Sequence, residues 1–276
     1  MRITRFFSTL SNRFSSFFEE EPEDTPLADA FSKTVENPSA LFEHLNALRK
    51  HLFRAAAVVI IATALAFALV QPIMAFLARP LEGGMEALTA IDVTEPIGTV
   101  MRVALLSGFA VAFPYIALEV WLFIAPGVSR RSRIMGLAAI PVAALFFLGG
   151  MAFAYFVMLP VALPFLLNFM GIHTIPRPSS YFSFVTSIMF WIGLAFEFPL
   201  VIFILATLGI VNGPALAKQW KIAILVIALI AAAITPTVDP VNMGLVMGPM
   251  IILFIMSIGL AYLAQRGRQK RKQAEE

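Results

Sequence analysis

Residues 180–210 read SYFSFVTSIMFWIGLAFEFPLVIFILATLGI, an apolar run holding one acid, Glu197, with Pro199 two residues on. At a helical rise of 1.5 Å per residue this length crosses a hydrocarbon core of about 30 Å with residues to spare. It reads as a membrane helix. A carboxylate near its middle costs on the order of 2.5–3.5 kcal/mol on insertion scales, so Glu197 is expected to face other helices or a wet hollow. Pro199 donates no backbone hydrogen bond and crowds the carbonyl four residues back, which predicts a bend beside the acid.

The whole chain agrees with that stretch. Of its 276 residues 59% are hydrophobic and only 13% charged, and mean hydropathy is +0.86. Ordinary soluble domains are about a quarter charged, so the composition describes an all-α, multi-pass membrane protein whose first partner is the lipid bilayer. Cysteine is absent, which excludes disulfides and thiolate metal sites, and His44, His51 and His173 are too scattered for a zinc site. A Gly-rich phosphate loop ending in Lys-Ser/Thr is missing, and no nucleophile stands in a supported triad. The sequence thus argues against an enzyme and calls for no cofactor.

Six apolar spans can be placed: about 53–77, 98–124, 134–159, 180–210, 220–234 and 241–263. The fifth holds some fifteen residues, roughly 22 Å, short for a bilayer and a source of local mismatch. Between the spans, positive charge alternates. One side holds Arg49, Lys50 and Arg54, then Arg130, Arg131 and Arg133, then Lys218 and Lys221, then Arg266 to Lys272. The other holds Arg79 and Arg177 against Glu82, Glu86, Asp92, Glu95 and Asp239. The positive-inside rule puts both termini in the cytoplasm, and it explains the basic tail without a nucleic-acid partner.

Three parts are expected: a cytoplasmic extension over 1–40, a membrane domain over 41–264, and a loose basic tail over 265–276. Residues 1–20 lack a compact apolar core and a small-residue cleavage site, so they do not read as a cleaved signal. They suit either an interfacial helix with Phe6, Leu10, Phe14 and Phe17 on one face, or a disordered tail. The spacing of Leu41, Phe42, Leu45, Leu48 and Leu52 predicts an amphipathic helix leading into span one. Pro72 predicts a kink near the far end of that span, Pro114 an interruption of span two, and Gly248-Pro249 a break in span six. Gly83-Gly84 breaks the first outer segment, where Met85, Leu88 and Ile91 are expected to form a short interfacial piece. Pro160, Pro164, Pro176 and Pro178 are read as bounding the second outer segment. Gly149-Gly150 allows close helix contact, and Arg102 is expected to snorkel to the outer headgroups.

Set in order, the landmarks resemble the TatC family, the multispanning subunit of the twin-arginine protein translocase. They are Glu43-His44-Leu45 with Leu48-Arg49, Thr94-Glu95-Pro96, Phe123-Ile124-Ala125-Pro126-Gly127, Phe196-Glu197-Phe198-Pro199, and Thr235-Pro236-Thr237-Val238-Asp239-Pro240. The resemblance covers about residues 41–264. It implies a concave, glove-shaped bundle of six helices in the cytoplasmic membrane. It also implies single-span partners of the TatA and TatB type, self-association, and recognition of twin-arginine signal peptides on folded cargo, with export driven by the proton-motive force.

The chain departs from the family pattern where signal binding is implied. Ala47 stands at the acidic position of the first helix, and Ser132 at the acidic position before Arg133. Two acceptors for arginine are thereby lost. Met243 stands where the family commonly has glutamine, and Ile255 where an acid often sits. Glu119 replaces what is more often glutamine and offers a displaced carboxylate, with Glu43 as a second. The candidate contacts for a signal peptide or partner are accordingly Glu43, His44, Arg49, Glu119, Arg133 and Glu197, while Pro126, Gly127, Pro236 and Asp239 shape turns. Each has a plainer reading: Glu119 and Glu197 as structural acids, His44 and Arg49 as orienting the first helix, the arginines as topology determinants, Asp239 as a helix cap. Two rival functions remain at this point. One is an assembly subunit without receptor activity. The other is a secondary transporter using Glu197, which lacks a supporting inverted repeat.

Overall fold

The computed structural model describes residues 38–127, 130–168, 171, 174–235 and 240–275. Among them there are helices and no strands. In chain order these are α1 (Pro38–Ala68), α2 (Val70–Leu77), α3 (Glu95–Ile124), α4 (Arg130–Phe153), α5 (Leu159–Leu167), α6 (Pro178–Phe196), α7 (Phe198–Leu208), α8 (Gly213–Lys218), α9 (Trp220–Ile234) and α10 (Pro240–Glu275). Five stretches are long and apolar enough to cross a membrane: His44–Ala68, Glu95–Ile124, Gly136–Leu167, Pro178–Leu208 and Met243–Gly267. The shorter Trp220–Ile234 completes the six apolar segments with the bounds expected for it. The expectations for residues 1–37 and for Pro236 and Asp239 lie outside the described residues.

Proline's consequences depend on whether the helix can absorb the lost donor. Span one breaks at Leu69, three residues before Pro72, and its amide turns back to Ala66 in a tightened turn at 3.0 Å. Span four breaks at Glu197, two residues before Pro199, as expected. Three expectations of interruption fail. Pro114 lies inside an unbroken α3, and Pro249 inside an unbroken α10. Pro160 and Pro164 do not end span three, which continues to Leu167 through a π turn at Ala154–Met158. The wider turn just ahead of Pro160 relieves the clash that a ring would have with a normal preceding turn. Nor is the basic tail loose along its backbone, since α10 runs to Glu275. The piece at Met85 is a single 3-10 turn, Gly84–Ala87, with Met85 and Ile91 exposed.

The chain forms two compact units, one of Met1–Val58 with Pro114–Val142, the other of Val59–Phe113 with Ala143–Glu276. In the second unit α7 packs along α10 through Ile202, Ala206, Ala261 and Ala264. Gly150 of α4 meets α6 so closely that a Cβ there would lie 2.8 Å from the Gly193 Cα, as expected for that position, while Gly149 faces open space. Phe113 and Phe147 stack with ring centres 4.1 Å apart.

Several buried hydroxyls in this unit find partners within their own helix, as an apolar surround favours. Thr99, Thr186 and Ser257 each donate to the carbonyl four residues back, at 2.6–2.7 Å. The tyrosines do so at longer range. Tyr155 donates to the Phe76 carbonyl at 2.6 Å and Tyr181 to that of Leu77 at 2.9 Å. Both carbonyls lie at the end of α2, and that of Phe76 also accepts from the Arg79 amide at 3.1 Å. Arg102 bonds Ser183 of α6 and so has a protein partner. Glu95, buried at the start of α3, pairs with Arg177 and accepts from the Ile91 amide.

Candidate functional site

The first unit brings α1, the end of α3 and the start of α4 together. Polarity clusters where α1 meets α3. Glu119 is only 3% exposed, yet both carboxylate oxygens have partners. Oε2 lies 2.5 Å from Nδ1 of His51, and Oε1 accepts from the Tyr115 hydroxyl at 2.6 Å. The direction of the first contact follows the imidazole tautomer: protonated at Nδ1, His51 donates to Oε2. Tyr115 stands four residues before Glu119, one turn along the same helix face, which is why the two meet.

Beside this pair lies a groove of about 390 Å³. His44, Ala47 and His51 of α1 form one wall, with Phe123 and Pro126 opposite. The α1 residues stand three and four apart, a single helix face. His44 lies against the Phe123 ring at a centre distance of 4.5 Å, and His51 meets the same ring edge-on at 6.2 Å. The groove therefore shows aromatic and apolar surface, with the Glu119 carboxylate paired to His51 on its wall.

The α3–α4 connection is held from within. Arg133, 4% exposed, donates from Nη2 to the Pro126 carbonyl at 3.4 Å. Its own carbonyl accepts from the Trp121 indole at 3.3 Å. Pro126 and Gly127 lie in a 3-10 turn, Ala125–Gly127.

Among the candidate residues, the structure gathers His44, Glu119, Arg133 and Pro126 into this one unit. Arg49 is on the same helix as His44 and is exposed. The side chain of Glu43 lies outside what the structure describes. Glu197 belongs to the second unit, at the α6–α7 break, beside the backbone of Phe147. Its Oε1 is buried without a hydrogen-bond partner among the described residues. Sequence reasoning overlooked His51 and Tyr115. The signals were the i, i+4 steps Ala47–His51 and Tyr115–Glu119, which set each residue on the face that carries the site.

Residues 43–249 match the family model described as Sec-independent protein translocase protein (TatC). The chain belongs to the TatC family. The TatC protein of Carboxydothermus hydrogenoformans is 36% identical over 228 residues, covering 82% of this chain and 94% of that one. TatCy of Bacillus subtilis is 31% identical over 242 residues, covering 87% and 95%. A crystal structure of the twin-arginine translocase receptor TatC is similar with a TM-score of 0.73 at 30% identity, over 80% of this chain and 99% of that one. As a TatC-family member the chain is a multi-pass membrane protein and a component of the Sec-independent, twin-arginine protein translocase. That places it in protein transport and favours the translocase over the other two functions the sequence left open.

Proposed function

We propose that the chain is the subunit that receives twin-arginine signal peptides of folded cargo, in the cytoplasmic membrane with both termini in the cytoplasm. It hands the cargo to single-span partners of the TatA and TatB type, and export draws on the proton-motive force. The observation that carries this reading is the groove of His44, Ala47, His51 and Phe123 with the Glu119 carboxylate directly behind it. Family acids are missing at Ala47 and Ser132, and Glu119 offers a carboxylate paired with His51, one turn from Ala47 on the same helix face. A guanidinium can take a carboxylate through two parallel charge-assisted bonds, while an ammonium offers a point charge. Phe123 and the His44 ring that lies against it supply flat surface on which a guanidinium or an apolar signal residue stacks.

Around this centre Glu43 adds a second acid and Arg49 orients α1. Arg133 acts as a staple of the α3–α4 connection, in keeping with its burial and its bond to Pro126. Glu197 serves a different step. Its unpartnered oxygen at a helix break supports a role as acceptor for a polar group on a partner's single membrane helix. Self-association and the division of the chain at residues 40 and 264 belong to the same proposal.

The test is a titration of the purified, detergent-solubilised protein with a fluorescent twin-arginine signal peptide and its twin-lysine counterpart. Tighter binding of the arginine peptide, weakened by Glu119→Gln, is expected. Equal affinities, or none, would return the chain to the role of an assembly subunit.

A further inference from the structure

Glu119 does not open on the groove. Its carboxylate is buried, with Tyr115 on Oε1 and His51 on Oε2. His51, by contrast, does line the groove, and its side chain is 21% exposed. The imidazole therefore stands between a ligand in the groove and the charge that would hold it. Ala47, one turn earlier on the same face, presents only a methyl group, so the space next to the imidazole is open. Resting on the receptor reading above, we propose that His51 is a gate: its imidazole closes the Glu119 carboxylate while the groove is empty, and swings over Ala47 when a guanidinium takes its place.

The chemistry of the carboxylate supports the exchange. A paired Arg–carboxylate contact needs two adjacent lone-pair positions, and the imidazole covers the side of Glu119 nearest the groove. Tyr115 does not have to move. It lies on the same helix as Glu119 and holds the other oxygen, keeping the acid in one rotamer while its first partner changes. His51 is thus a positioning residue with a competitive role, and Ala47, which looks like a lost ligand, becomes the room into which the gate opens. Free in the groove, the imidazole still has Phe123 to pack against.

A gate and a structural strut predict opposite results on removal. His51→Ala should bind the twin-arginine peptide more tightly, on the order of tenfold, because a competing hydrogen bond to a charged group is gone. His51→Gln, which keeps a donor near Glu119, should stay within about twofold of the parent. In a Glu119→Gln background, His51→Ala should bring no gain. Weaker or unchanged binding in folded His51→Ala, or an equal gain without the Glu119 carboxylate, overturns the gate. Carbodiimide labelling of Glu119, read by mass spectrometry without any peptide, separates this from the receptor reading. Labelling should rise several-fold in His51→Ala and not in His51→Gln. If labelling rises but no variant prefers the arginine peptide, the receptor reading fails while the closure of Glu119 by His51 stands. If labelling does not rise, the gate is refuted whatever the peptide does.

Discussion

The indole of Trp121 lies on Gly136 so closely that a Cβ at Gly136 would fall 1.8 Å from the ring. With the indole bond to the Arg133 carbonyl, this contact locks α3 to α4. Gly136→Ala must displace a buried ring, and overpacking of this kind costs about 1–3 kcal/mol. A lowered Tm of the purified protein and a change in tryptophan emission should report it. Because the two side chains share one space, Trp121→Leu combined with Gly136→Ala should cost less than the sum of the single changes.

The Glu95–Arg177 pair is unequal, with the Glu95 side chain 6% exposed and that of Arg177 46% exposed. Removing the arginine strands a buried carboxylate, whereas removing the acid leaves a cation that water reaches. Arg177→Gln should therefore lower the Tm more than Glu95→Gln, with the loss at the arginine about 1–3 kcal/mol. Equal losses would mean that the buried side is already solvated.

Much of this architecture was legible before any coordinates. Glu197 with Pro199, and the fifteen residues of α9, were readable because hydropathy and helix length are properties of the chain alone. Pro114, Pro160 and Pro249 were misread for a common reason: a proline always removes a donor, but whether the helix ends depends on neighbours that hold it straight or on a π turn, and neither has a local signature. The site was half visible. Glu119 stood out as an acid in an apolar stretch. His51 did not, because its importance comes from a contact 68 positions away in the chain.

Asp92 sits in the loop before α3, where its Oδ1 accepts from the Thr94 amide at 3.0 Å and the Thr94 hydroxyl at 3.1 Å. The amide bond, then the hydroxyl bond, holds its pKa below the ordinary carboxylate value. A depressed folded-state pKa means that the turn's stabilisation is present above the unfolded value and lost as pH falls through the folded one. Local protection of the Thr94 amide, measured by hydrogen exchange corrected for intrinsic rate, should accordingly drop under acid conditions below about pH 4. Asp92→Asn should remove that dependence.

Glu197 should separate stability from function. A partly buried acid with one unpartnered oxygen costs the fold desolvation that is only partly offset, so Glu197→Leu is expected to leave the Tm unchanged or to raise it. Export of a twin-arginine reporter, and crosslinking of a partner helix near position 197, should nevertheless fall sharply. A variant that unfolds would show the acid to be a structural member of the bundle instead.

The last helix, α10, carries Val246, Ser257 and Ala264 in the packed interior and runs to Glu275 with no hinge. Its 36 residues amount to about 54 Å at the helical rise, well beyond the hydrocarbon thickness. A rod of that kind works as a lever. A small tilt where it presses on α7 becomes a larger displacement at its basic end, so rearrangement within the bilayer would be felt by anything gripping the tail.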